Sequence, residues 1–499
     1  MQLLWLKRNL RLQDSEPLFY SMKEFRTAGP VLPLYIHDPG LINQPDVSRQ
    51  HQVFLQETLT ELASELHNLG GQLLEAVGDS VAVLNRIHQV RPLTKIWTHR
   101  ETTQHSQYLR DKQVRVWCQS AGVELVEMEQ NGIARGSQEP LPFAEYFTRC
   151  VNQPLRDPTG NDLSRRFAPL PFSGCAPGDI PAAAGDDKPL RQKGGRAAAQ
   201  EALEGFFTIR NLNRYPFQLS SPNTAWDGCS RMSTWLAYGV VSDREVYQHV
   251  DRVISKGSEI LDAGGFQRLQ DRGRFYLDRL SWRRQYLQTF ENHPEFEFDC
   301  ILPQFSGVRE AQYDEALFQA WKTGRTGFPF IDAAMGCLRQ TGWINMRLRA
   351  TVVSFATMNL WLPTTKVAEF LATEFLDYDP GIHHIIHQIV AGSSAFRGIM
   401  VYDPVKQGLD HDPKGQFIHR WVPELADLGA DVHDLSKTAG YLSVKATKHR
   451  CLPYPQALVD HQATALHAKR RIHELKKGIT TPMATVPDAR DSSPQMGLF

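Results

Sequence analysis

Short apolar runs and amphipathic stretches alternate through the first 130 residues. The runs LLWL at 3–6, VLPLYI at 31–36, QLLEAV at 72–77, KIWTH at 95–99 and VELVEM at 123–128 read as strands. Between them lie longer stretches with helical spacing, such as HQVFLQETLTELASELHNLGG, which ends in a glycine pair suited to a helix C-cap. Such alternation predicts a doubly wound parallel sheet in an α/β domain over 1–130. No G-x-G-x-x-G follows the first strand, so the usual dinucleotide fingerprint is absent; LKRNLRLQD fills its place.

The pattern then breaks. Residues 131–198 are rich in Pro, Gly and Asp and predict a long connector running over the surface. From GGRAAAQEALEGFF onward the spacing turns helical, and few alternating runs appear before about 475, so 199–475 is expected to form a mostly α-helical domain. The tail 476–499 has low hydrophobicity until its last five residues and is expected to be disordered.

Composition narrows the class without naming a partner. The 499 residues suggest more than one core. Hydrophobic residues are 41% and charged residues 22%, as in globular proteins generally. Lys+Arg and Asp+Glu are both 55, so a nucleic-acid site has to be a local basic patch. The seven cysteines form no C-x-x-C pair, which argues against a zinc ribbon or redox dithiol and suits a reducing compartment. Neither a signal segment nor a membrane span is evident, and a cytoplasmic monomer is expected.

Four stretches carry candidate chemistry. In DGCSRMSTWLAYGVVS (227–242), small hydroxyl residues beside Arg231 at a helix start could cradle a phosphate or simply cap a helix. In QRLQDRGRFYLDRLSWRRQYL (267–287), arginines interleave with aromatics, as on a nucleic-acid face or on an ordinary amphipathic helix. In 323–361, Arg347 and Arg349 lie between apolar stretches and need partners if buried. The fourth, FLDYDPGIHHIIHQIVAGSS (375–394), offers Asp377, Asp379 and the His383/His387 pair on one helical face. That pair could bind zinc, line a cofactor pocket or be a polar strip on a buried helix. No third ligand or acidic base accompanies it, so no metal is assigned.

TGRTGFPFIDAAMGCLRQTGWINMRLR, LDYDP and YDPVKQGLDHDPKGQFIHRWVPEL resemble the flavin-domain signature of the photolyase/cryptochrome family, and LLWLKRNLRLQDSEPL resembles its N-terminal opening. The resemblance spans residues 2 to about 475. It implies FAD bound in the helical domain. The CSRMS run, with Cys229, Ser230, Arg231, Met232 and Ser233, matches the segment that holds the pyrophosphate, and Tyr215 is the candidate tyrosine upstream of it. Asp377 and Asp379 match the aspartates of the isoalloxazine edge and ribose, and Arg349 the arginine paired with Asp377. Arg283 and Met346 complete the expected cofactor set, and His383 falls where the family faces flavin N5. Arg349, Asp377 and His383 are thus the catalytic candidates, and Arg279, Trp282, Arg283 and Arg347 the DNA-binding ones.

The resemblance has gaps. At the three positions where many members carry relay tryptophans, this chain has His387, Thr364 and Ala311; Trp361 is the nearby substitute, with Tyr378 and Trp343 to assist it, and each tryptophan also reads as core packing. Arg279 stands where dimer-repair enzymes commonly place a glutamate, and Met346 where they place an asparagine. The family often holds an antenna chromophore, a folate or a deazaflavin, and no residue set here chooses between them. The implied function is FAD-dependent, light-driven repair of pyrimidine dimers in DNA, with a cryptochrome-like photoreceptor as the alternative and a dark flavoprotein as a third reading. QMGLF at 495–499 resembles the bacterial sliding-clamp-binding pentamer. The arginines of 268–284 and the KRRIHELKK segment at 469–477 are expected to face DNA.

Overall fold

The computed structural model describes residues 1–130, 132–135, 143–158, 163–394, 398–447 and 451–477. The tail from 478 on, QMGLF included, lies outside the described residues. The five expected strands are present: β1 (Gln2–Leu6), β2 (Val31–His37), β3 (Leu74–Val77), β4 (Lys95–His99) and β5 (Glu124–Met128). They form one parallel sheet in the order β3-β2-β1-β4-β5. All five β1 residues are buried, as a central strand covered on both faces requires. At the edge, β5 leaves Glu124 exposed. The helix expected after β2 covers Arg49–Asn68, and Gly70 just beyond it takes the left-handed φ of 81° that the glycine pair suggested.

The connector does more than run over the surface. A helix, Phe143–Val151, interrupts it, with Phe147 and Val151 buried. Phe167 bridges to Val31 beside the sheet, Ala183 is buried, and Lys188 pairs with Glu374 at 2.6 Å. Apolar anchors spaced among Pro and Gly residues pin it to both halves of the chain; the composition of the stretch hid them.

Beyond Arg196 the structure is helical. Its main core gathers Trp321, Phe328, Phe355 and Phe375, all essentially buried, at about 1.5–3 kcal/mol for each such phenylalanine. Three elements position the pocket described below. The Ala263–Asn292 helix starts at the Asp262 cap, whose carboxylate accepts from Gly265 N at 2.6 Å. Met346–Ser354 starts at Asn345, which accepts from Leu348 N and also donates to the Leu219 and Ser220 carbonyls. Pro380–Val390 is buried nearly all round, its histidines and Gln388 included, and runs through the interior. Gly381 lets it approach the long helix closely, because a Cβ there would lie 2.8 Å from the Leu287 side chain.

The sheet domain holds the loop that leads into this buried helix. Arg8 Nη2 donates to the Tyr378 carbonyl at 2.9 Å, His51 Nε2 to the Phe375 carbonyl at 2.9 Å, and Gln50 to the Thr373 carbonyl at 2.6 Å. The backbone around Asp377 is therefore fixed from the N-terminal side. Among the described residues, no helix is long and apolar enough to cross a membrane.

Candidate functional site

A cavity of about 300 Å³ opens between the long helix, the Met346 helix and the buried Pro380 helix. Its lining is largely apolar, with a few convergent charges, as expected of a cofactor site. Tyr215, the whole CSRMS run, Arg283, Met346, Arg349, Asp377, Asp379 and His383 all line it. So do Arg279, Trp282 and Trp343.

Two ion pairs organise the floor. Arg349 Nη2 lies 2.9 and 2.8 Å from the two oxygens of Asp377, and Arg349 Nε donates to the Ile344 carbonyl. Arg283 Nη1 donates to Asp379 Oδ2 at 2.8 Å, and its Nε lies 3.5 Å from Asp243 Oδ1. Burial raises the Asp243 pKa, with Arg283 opposing it. This placement corrects one expectation. Arg283 has a side chain only 10% exposed and faces carboxylates, so it is not a DNA-face cation. Its neighbour Arg284 is fully buried against the Tyr146 and Phe147 rings, so the 268–284 arginines do not form one solvent face.

At the other end, Arg231 adopts φ 53°, a left-handed conformation unusual for a residue with a side chain and typical of functional positions. Its guanidinium lies 3.7 Å from the Trp226 ring centroid and 5.3 Å from that of Trp343. Burial lowers its pKa to about 10, which leaves it cationic near neutral pH. Ser230 Oγ lies 3.0 Å from Tyr276 Oη. The helix after this run, Ser233–Ala237, is only five residues long and has no side-chain cap, so Arg231 supplies the charge there.

The three histidines of the Pro380–Val390 helix are all buried. His383 and His387 lie side by side, ring centroids 4.0 Å apart. His383 Nε2 donates to the Ala368 carbonyl at 2.8 Å, and His387 Nδ1 donates to the His383 carbonyl at 2.6 Å. His384 Nε2 lies 3.3 Å from Tyr378 Oη, and its ring stacks on Phe290. Burial pushes the His383 pKa well down, and takes His384 to about 4 and His387 to about 3. Among the described residues no cluster of three or more His, Cys, Asp or Glu could hold a metal.

Toward the pocket's edge, the Arg279 guanidinium lies between the Phe275 and Trp282 rings, 4.3 and 4.1 Å from their centroids. Arg347 and Trp361 do not line the cavity. Arg347 lies 5.7 Å from the Tyr402 ring. Trp361 packs with Met358, Phe305 and Ile472 in a separate cluster under the His461–Lys476 helix. Trp343 meets Trp226 edge to face at 6.0 Å. Asn345 and Tyr378 line the site, and Trp226 stands behind it against Arg231 and Trp343; the sequence reading left them out or barely used them. Asn345 had a signal, an Asn directly before a helix; Trp226 had none.

A second cavity, of about 140 Å³, lies at the carboxyl ends of β1, β2 and β4, where the strand order reverses. Lys7, Arg8, Tyr35, His37, Asp46 and His51 are among its lining residues. Open α/β sheets bind ligands at this position. Tyr378 borders both cavities, and its hydroxyl donates to Asp46 at 3.0 Å.

Comparison with known families decides the assignment. Residues 2–137 match the family described as DNA photolyase, and residues 276–474 match the FAD binding domain of DNA photolyase. The chain belongs to the photolyase/cryptochrome family. Relatives within it include a cryptochrome DASH of Gloeobacter violaceus, 27% identical over 92% of this chain and 93% of that one. A deoxyribodipyrimidine photo-lyase of Escherichia coli is 25% identical over 95% and 99%. The archaeal photolyase from Sulfolobus tokodaii, solved with two FAD molecules, superposes with a TM-score of 0.73 at 25% identity, covering 95% of this chain and all of that one. A Synechocystis cryptochrome, 23% identical over 94% and 98%, shares the fold with a TM-score of 0.78.

FAD is the cofactor of this family's helical domain, and the residues present fit it. Arg231 Nε, Asp379 Oδ1 and His387 Nε2 are buried polar atoms without a protein partner, and all three belong to residues lining the one cavity. They offer a cation for phosphate and acceptors for hydroxyl or ring N–H groups.

Proposed function

We propose that this chain is a light-driven DNA photolyase that splits pyrimidine dimers. The observation that carries the reading is one cavity in which the Arg349–Asp377 pair and the Arg279–Trp282 stack both take part. Reduced flavin, when bound, supplies the excited-state electron. Arg349 would hold negative charge on the ring, and Asp377 would fix Arg349. Arg231 and Ser230 would take the pyrophosphate, and Asp379 and Arg283 the sugar. Trp282 would stack on a flipped base, Arg279 would grip a DNA phosphate beside it, and Arg347 would add a further contact. The Trp343–Trp226 pair is the electron route we assign, in place of the relay tryptophans absent at His387, Thr364 and Ala311.

The second cavity, at the strand ends, is where we place an antenna chromophore. We also assign a sliding-clamp contact to QMGLF, on its sequence alone. Deleting Leu498 and Phe499 should abolish clamp retention in a pull-down; undiminished retention would remove this contact from the reading.

The deciding experiment is illumination of the anaerobically reduced, FAD-loaded chain with DNA bearing cyclobutane dimers, counted before and after. Loss in light and not in the dark supports repair. No loss, followed by none with the (6–4) lesion, would leave a cryptochrome-like photoreceptor. Arg279 and Met346, where repair enzymes commonly have Glu and Asn, are the residues that favour that second reading.

A further inference from the structure

We propose that this chain takes its dimer from an unpaired DNA strand, and that Phe217 backed by Arg272 is a base-stacking platform for that strand outside the cavity. The inference rests on the DNA photolyase reading and names its substrate class.

Phe217 is 72% exposed, the most exposed aromatic among the described residues. A single apolar side chain at the surface is ordinary; the setting of this one is not. It stands two residues after Tyr215 and two before Leu219, and both of these line the cavity. The Arg272 guanidinium lies 5.0 Å from the Phe217 ring centroid. It is held there by the Asn213 carbonyl, to which its Nη1 donates at 2.7 Å. The cation backs the ring, and the rest of the ring meets solvent.

Helix register extends the stack. Arg272, Phe275, Arg279 and Trp282 stand at i, i+3, i+7 and i+10, on one face of the Ala263–Asn292 helix. Arg279 lies between the Phe275 and Trp282 rings. Cation and aromatic therefore alternate from solvent at Phe217 to the cavity wall at Trp282. From Arg272 to Trp282 the helix rises about 15 Å. Phosphates of a stacked strand are about 3.4 Å apart, so the row spans about four nucleotide steps. Each ring offers a face to a base, and each guanidinium a partner to a phosphate.

The surrounding charge suits a polyanion. Arg210 and Arg214 share the outer face of the Ile209–Gln218 helix with Phe217, at i, i+4 and i+7, and that helix carries no acidic residue. Arg268 precedes Arg272 by one turn. All three arginines are exposed. Asp271 and Asp278 each sit one residue off the face, about 100° round the helix.

The aromatic decides the pairing state. Arginines attract the phosphates of either form of DNA. In a duplex, both faces of every interior base are covered by its neighbours, which leaves Phe217 nothing to stack on. An unpaired strand has base faces to give.

The test uses the full-length, FAD-loaded chain as wild type, Phe217→Ala, Phe217→Trp and Arg272→Gln. The probe is a fluorescein-labelled strand of about 16 nucleotides bearing one cyclobutane dimer, kept in the dark, alone or paired with its complement. Affinity is read by anisotropy across a range of salt. Phe217→Ala should weaken single-strand binding by about tenfold and duplex binding by less than about twofold. Its salt slope should not change, because stacking releases no counterions; Arg272→Gln should flatten that slope by about 0.7. Phe217→Trp should bind the single strand as wild type does. Undiminished single-strand binding in Phe217→Ala, equal losses on both probes, or a wild type that prefers the duplex would each overturn the platform and leave dimer splitting to its own illumination test. A wild type that binds neither probe would overturn the DNA reading with it.

Discussion

Arg349 Nη2 holds both carboxylate oxygens of Asp377, at 2.9 and 2.8 Å, and the Asp377 side chain is only 3% exposed. The pair links the first turn of the Met346 helix to the loop that the sheet domain fixes through Arg8 and His51. Removing one member leaves a buried charge uncompensated, at a cost of about 3 kcal/mol. Asp377→Asn and Arg349→Gln should each lose that much stability in urea unfolding of the FAD-free chain. The double variant should lose clearly less than the sum. Additive losses would mean that the two residues are not coupled.

Arg279 tests the assigned DNA face. It is stacked between Phe275 and Trp282 and lines the cavity. If it neutralises one phosphate, Arg279→Ala should weaken binding of duplex DNA regardless of sequence and flatten the slope of log K against log salt by about 1. Arg284→Ala should leave that slope alone, because Arg284 is packed against Tyr146 and Phe147 in the interior. Equal changes in both variants would contradict this assignment of the DNA face.

These two arginines also mark the boundary of what the sequence could tell. Strands such as β1 were legible because burial on both faces writes an unbroken apolar run. The pocket residues were legible because long motifs carry them together. Helical spacing alone could not separate Arg279 at the site from Arg283 in an ion pair and Arg284 in the core, since all three read as cations on an aromatic helix. The connector's composition concealed Phe147, Val151 and Phe167, whose burial depends on partners far away in the chain. Trp226 gained its meaning only from the distant Arg231 and Trp343.

The second cavity makes a separable prediction. Leu41 and Ile42 line it and are absent from the flavin pocket. Ile42→Trp should fill the space without touching the FAD site. Purified in the presence of folate or deazaflavin, the wild type should carry FAD and a second chromophore, and the variant FAD alone. A second chromophore retained by the variant would place the antenna elsewhere.

Acid stability should report on the buried histidines. His51 and His384 are held near pKa 4 and His387 near 3, chiefly by burial, against 6.5 for an open imidazole. Below pH 6.5 the unfolded chain takes up protons that the folded chain refuses. Their stabilising share is thus complete above 6.5 and shrinks as pH falls toward 4. At pH 5 each histidine costs about 2 kcal/mol relative to neutral pH. Glu297, raised to about 7 by burial, acts in the opposite sense, so a single protein's profile mixes the two. A difference isolates the histidine. The His384 ring is stacked on Phe290 at 5.9 Å, so a phenylalanine has a ready contact there. His384→Phe should lose about 2 kcal/mol less stability than wild type between pH 7.5 and 5 in parallel urea titrations. Identical losses would mean that His384 is protonated in the folded chain, and that the imidazoles beside the pocket are not held neutral by their burial.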